Sequence, residues 1–188
     1  MVNHRFSEDS EEGGFTLVEL LVVLLIIGIL LAIAIPTFLS TSTTANNTAA
    51  QSDLKTALTG ADTYFMTAGS QSYANLDSAS TSNISSIGTG IVYVSGTGQA
   101  GASSGPHVVS LYYPSLGNYV ILTALAHGSP MDCWGILDIK LPLGSAPTGF
   151  TQTAVGTYYF VARNATTSSC VAQSVTPSAV SAIAFPNP

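Results

Sequence analysis

The sequence predicts an α+β fold: one long N-terminal α-helix, transmembrane over its first half and kinked near Pro36, packed by its second half on an antiparallel β-sheet head. Three observations lead there. Residues 15–35 form an apolar run, residues 37–68 continue with helical spacing, and residues 69–188 break into short strand-like runs divided by Gly and Pro. Residues 1–14 then stand apart as a leader ahead of a transmembrane helix at 15–36.

The run FTLVELLVVLLIIGILLAIAI at 15–35 holds a single charge in its 21 residues. A helix of that length, at ~1.5 Å per residue, spans ~31 Å, which matches a hydrocarbon core of ~30 Å. A secretory signal peptide carries its small-residue cleavage site after the apolar stretch; here Gly13 and Gly14 come before it. A cut after Gly14 therefore keeps the helix on the mature chain and creates a new amine on Phe15. The single charge is Glu19. A carboxylate in a membrane helix costs ~2.5–3.5 kcal/mol on insertion scales and calls for a cation or a proton. Along one helix the Phe15 amine sits about a turn away and favours its own terminus, so the amine of a neighbouring subunit is the better match. The competing reading is a signal anchor with a tolerated interfacial glutamate.

The segment GGFTLVELLVVLLIIGILLAIAIPTFL resembles the class III signal and N-terminal helix of type IV pilins and type II secretion pseudopilins. The resemblance covers about the first forty residues. It implies that a prepilin peptidase cuts after Gly14 and methylates Phe15, that Glu19 pairs with a neighbour's N-terminus during assembly, and that Gly28 and Pro36 fall where subunits of this family weaken the helix. Both have a physical reading, since Gly lowers helix stability and Pro36 removes a backbone hydrogen bond. The leader departs from the commoner basic form, because Glu8, Asp9, Glu11 and Glu12 outweigh Arg5. Similar acidic leaders occur in pilin-like proteins of Gram-positive, especially actinobacterial, organisms.

Beyond Pro36, Leu54, Leu58, Ala61 and Phe65 fall at i, i+4, i+7 and i+11, one face of a helix. The preceding TSTTANNT is a poor helix former and must gain its order from packing. Strand character follows at 91–94, 108–113, 119–125, 134–141 and 157–163. A sheet with one apolar face needs a cover, and the second half of the helix is the amphipathic element available.

Only 7% of residues are charged, against roughly 25% in an average soluble protein, so the surface is hydroxyl-rich rather than ionic. Net charge is −6, and Arg5, Lys55, Lys140 and Arg163 are scattered; no run neutralises phosphates, and nucleic acid is not an expected partner. Cys133 and Cys170 lie downstream of the apolar segment, where an oxidising compartment would pair them. The bond would stabilise by ~3–4 kcal/mol on the chain-entropy model; the alternative is two buried free thiols. The stretch 133–170 resembles the C-terminal disulfide region of many type IV pilins.

Other motifs fail on context. GTGQAG at 96–101 matches GxGxxG but is followed by ASSGPHVV, which opens no helix, so it reads as a hairpin loop rather than a cofactor site. GASSG at 101–105 matches a nucleophile elbow, but His107 and His127 both precede Asp132 and Asp138, and Ser103 reads as a loop serine. Asp132 and Asp138 fit no dense oxygen cage for calcium and read as solvent-facing charges beside a strand. Trp134 and Tyr158, Tyr159 and Phe160 read as packing rather than an adhesive surface. Three NxS/T triplets, at 46, 83 and 164, are expected by chance in a chain this rich in Ser and Thr.

The expectation is a non-catalytic structural subunit without cofactor or metal. It begins as a single-pass membrane protein in lipid, is cut by prepilin peptidase, and is handed by a pilus assembly platform into an extracellular homo-oligomeric pilus. The alternatives are a pseudopilin of a type II secretion or competence system and a non-polymerising membrane protein with a binding head. The cysteine pair favours a pilin.

Overall fold

The computed structural model describes residues 14–67, 71–74, 76, 84, 90–95, 101–128 and 130–186. One helix, α1, spans Leu17–Thr67, and six strands follow: β1 (Val92–Ser95), β2 (Val108–Tyr112), β3 (Tyr119–Ala126), β4 (Asp132–Ile139), β5 (Gly156–Ala162) and β6 (Ala179–Ser181). The chain divides into two compact units, Met1–Ser40 and Thr41–Pro188, and α1 contributes to both.

In the first unit every described residue is exposed, from Gly14 to Ser40. The helix continues through Pro36. Proline lacks an N–H and crowds the carbonyl four residues back. One residue on, Thr37 Oγ1 donates to Ile33 O at 3.1 Å and Ala34 O at 2.9 Å, so a side chain adds hydrogen bonding where the backbone ladder is weakened.

In the second unit α1 is amphipathic. Asn47, Ala50, Leu54, Ala57 and Ala61 are buried, recurring at alternating steps of three and four. Leu54 and Ala61 of the expected stripe lie at its centre, while Leu58 and Phe65 pack at its margin. The polar stretch before it is ordered by side chains that reach the sheet: Trp134 Nε1 donates to Asn47 Oδ1 at 3.0 Å, and the Asn46 amide donates to His127 O.

The six strands form one sheet in the order β1-β2-β3-β4-β5-β6. It is mixed rather than wholly antiparallel. The pairs from β2 to β6 are antiparallel, but β1 runs parallel to β2, with Val92 opposite Val108. A parallel pair needs a crossover rather than a hairpin, which corrects the hairpin reading of GTGQAG; residues 96–100 of that motif lie outside the described residues. The short β6 was missed altogether. The run expected at 134–141 is β4, shifted by two residues because Lys140 N and Leu141 N already bond Asn118 O beyond the strand.

The expectation of a single apolar face also needs correction. Val120, Leu122 and Ala124 of β3 and Trp134 and Ile136 of β4 face the helix side, packed with Ala50, Leu54, Ala57 and Ala61. The alternate residues Ile121, Leu125, Cys133, Leu137 and Ile139 form a second core with Phe150, Phe160, Cys170, Ala172 and Val175. Irregular chain covers that face, tied down by a Cys133–Cys170 disulfide with Cα atoms 5.5 Å apart. Backbone and hydroxyl bonds fasten it further: Ser103 N donates to Cys170 O and Ala172 N to Ser110 Oγ. Both faces of β4 are therefore dry, and every residue in it is buried. Gly135 faces this second core, where a Cβ would lie 2.1 Å from Phe160 Cζ, so the Phe160 ring occupies the space a side chain would need.

Candidate processing and assembly segment

Gly14, Phe15 and Thr16 precede α1, and Glu19 lies in its first turn. The first backbone N–H groups of a helix have no partner within it. Here Thr16 is the N-cap and Glu19 the third helical residue. Glu19 N donates to Thr16 Oγ1 at 3.2 Å, and Thr16 N donates back to Glu19 Oε2 at 2.9 Å. This is a reciprocal capping box, reinforced by Thr16 Oγ1 donating to the same Oε2 at 2.8 Å. Glu19 thus has a role inside its own chain. Thr16 was missed as the capping partner of Glu19, although the T-x-x-E spacing is legible in the sequence. Oε1 of Glu19 takes no hydrogen bond among the described residues.

The remaining residues of interest are placed but not brought together. Phe15 is 89% exposed. Gly14 and Gly28 would have nothing within 4 Å of a Cβ, so no contact among the described residues requires glycine at either position. Pro36 sits inside the helix. Side chains around the whole circumference between Leu17 and Leu39 are large, apolar and exposed. A helix apolar all round belongs in lipid or in the core of a larger assembly.

Asp62, Asp132, Asp138, Lys140 and Arg163 of the head are engaged in ion pairs. Asp132 and Asp138 are buried, at 5% and 1% exposure, which corrects the reading of solvent-facing charges. Arg163 Nη1 lies 3.7 Å from Asp132 Oδ2. Asp138 accepts from Tyr73 OH at 2.5 Å and Thr157 Oγ1 at 2.7 Å, and Lys140 Nζ lies 3.0 Å from it and 2.8 Å from Asp62. Burial, together with the negative charge and hydrogen bond of Asp138, pushes the Tyr73 hydroxyl far above its ordinary range. Burial by itself would lower Lys140, but its hydrogen bonds to Asp62 and Asp138 outweigh that and hold it raised. The cluster ties α1, the segment after it and β4 to β5. Ser103 is equally committed: it is buried, its Oγ donates to Val108 O and accepts from Leu125 N, and no histidine bonds it among the described residues. Trp134 and Phe160 are fully buried, as packing residues should be.

Residues 10–35 match the family described as the prokaryotic N-terminal methylation motif. The match takes in the Gly14–Phe15 junction, Glu19 and Gly28, and ends before Pro36 and the head. No curated protein and no solved structure matches the chain.

Proposed function

We propose that this precursor, which carries the type IV pilin and pseudopilin signal at residues 10–35, is the structural subunit of an extracellular type IV pilus-like filament. Prepilin peptidase cuts after Gly14 and methylates Phe15. The subunit waits in the membrane as a single-pass protein until an assembly platform extracts it. The observation that carries this reading is the helix exposed and apolar on all sides, directly after the Gly14–Phe15 junction. A cut at that junction retains the helix, and burial among like helices gives it a place outside lipid.

In the membrane, Thr16 and Glu19 cap each other, which lowers the penalty of holding a carboxylate there. On assembly Oε1 takes the Phe15 amine of a neighbouring subunit, while Oε2 keeps the cap. Gly28 allows close approach of neighbouring helices, as small residues do in membrane packing. Pro36 weakens the backbone ladder where the packed helix is to be deformed.

A pseudopilin of a secretion or competence system shares all of the N-terminal segment; the disulfide-stapled back face of the head favours a pilin. The test that separates polymerisation from simple surface display is Glu19→Ala. Sheared filaments should be lost while the leader is still removed. Normal filament yield from that variant contradicts the assembly role of Glu19.

A further inference from the structure

A cavity of about 290 Å³ lies within the head, bounded by α1 near residues 46–53, the turn before β2 and the end of β3. Ala50, Val108, Ala124 and Leu125 give it apolar walls. Four polar side chains meet it: Asn46, whose amide donates to His127 O, with Asp53, His107 and His127. His127 Nε2 is buried and makes no hydrogen bond among the described residues. Asp53 holds His107 Nδ1 at 3.1 Å through Oδ1, with the carboxylate 17% exposed and the imidazole 64% exposed. The bond fixes Asp53 at the cavity wall, and Oδ1 is the oxygen it uses.

A buried polar atom without a partner is rare in folded proteins and marks a position that a ligand group can satisfy. The chemistry of the wall selects that group. The carboxylate disfavours an anion. The Asp53 carboxylate is an acceptor, and His127 Nε2 accepts in the tautomer that carries its proton on Nδ1, so the complementary ligand is a donor carrying positive charge. The apolar walls favour a short hydrocarbon or aromatic body behind it. Side chains of Lys55, Lys140 and Arg163 do not line the cavity.

We propose that this cavity binds a small primary amine with a short apolar body, its ammonium group donating to Asp53 and to His127 Nε2. The proposal is independent of the filament reading, since it uses head residues alone.

The probe is 2-phenylethylamine, titrated into the full-length protein in detergent micelles while the His127 ring signals are followed by NMR, with 2-phenylethanol and phenylacetate as neutral and anionic counterparts. The amine should bind at least about tenfold more tightly than either counterpart, reflecting the charge-assisted hydrogen bonds. Asp53→Asn and His127→Phe should each weaken it by about tenfold or more, and Ala49→Trp should block it from an exposed position on the cavity wall. Melting curves for each variant establish that the head remains folded. Binding of phenylacetate as tight as that of the amine, amine affinity unchanged in Asp53→Asn, or no response of His127 at millimolar amine would overturn the proposal.

Discussion

In the head, what a residue touches explains what it is. Gly135 is glycine because the Phe160 ring fills the space of a Cβ, and Asp138 is tolerable in a dry strand because Tyr73, Thr157 and Lys140 surround it. The same question put to residues 14–40 has no such answer. Gly14 and Gly28 have open space where a side chain would be, and Phe15, Leu17 and Val18 are 89%, 84% and 70% exposed. Apolar surface of that extent is unfavourable in water, so the identities in this segment answer to molecules outside the subunit. The head is built for its own stability; on the proposed function, the N-terminal segment is built for an enzyme, a bilayer and other copies of the helix.

That contrast can be broken or sharpened by experiment, beginning with the largest effect. Replacing both cysteines, Cys133→Ser with Cys170→Ser, should destabilise the head by ~4 kcal/mol on the chain-entropy model. Chemical denaturation of the full-length protein in detergent checks it. Leader removal should be unaffected, because the disulfide lies far along the chain from Gly14.

A pair of identical substitutions gives a more direct comparison. Gly135→Ala must displace Phe160 and should cost about 1–3 kcal/mol, the usual penalty of overpacking. Gly28→Ala should leave the melting of the head unchanged and stabilise the helix locally by roughly 0.5–1 kcal/mol, yet reduce filament yield. Equal effects of the two on head stability would erase the distinction between the regions.

The smallest expected effect concerns pH and belongs to the head alone. Tyr73 and Lys140 are raised in the folded state, and burial with nearby Asp53 pushes Tyr93 up to about 12. A group raised on folding binds its proton more tightly in the native state, so its contribution is complete below the unfolded value and declines as pH rises above it. The head should therefore hold its stability at neutral pH and begin to lose it above about pH 10, where unfolded tyrosine and lysine titrate. Denaturant midpoints across that range measure it; a flat profile up to about pH 12 contradicts the account of the cluster.

Much of the fold was legible because it rests on local pattern. The run at 15–35 signals its helix by hydropathy, and Leu54 and Ala61 by spacing. β2 and β3 stand out as short apolar runs. What escaped depends on distant partners. Nothing in VYVS indicates that β1 would pair parallel with β2, and the three residues of β6 are too few to show a period. Charge ordinarily signals exposure, and only the tertiary meeting of Asp138 with Tyr73 and Thr157, from separate segments, reverses it. His127 carries no sequence signal at all, since its cavity is assembled from three parts of the head. The N-terminal motif was the most legible because it is linear: residues 10–35 match the methylation motif, and the Thr16–Glu19 capping pair was recoverable from spacing in the same short stretch.

Mass spectrometry of the mature protein tests the central claim most directly. The account predicts a chain that begins at Phe15, carries one added methyl group there, retains the whole apolar helix and holds Cys133 linked to Cys170. A mature chain that still begins at Met1, or one cut beyond Ile35 so that the helix is discarded, would contradict it.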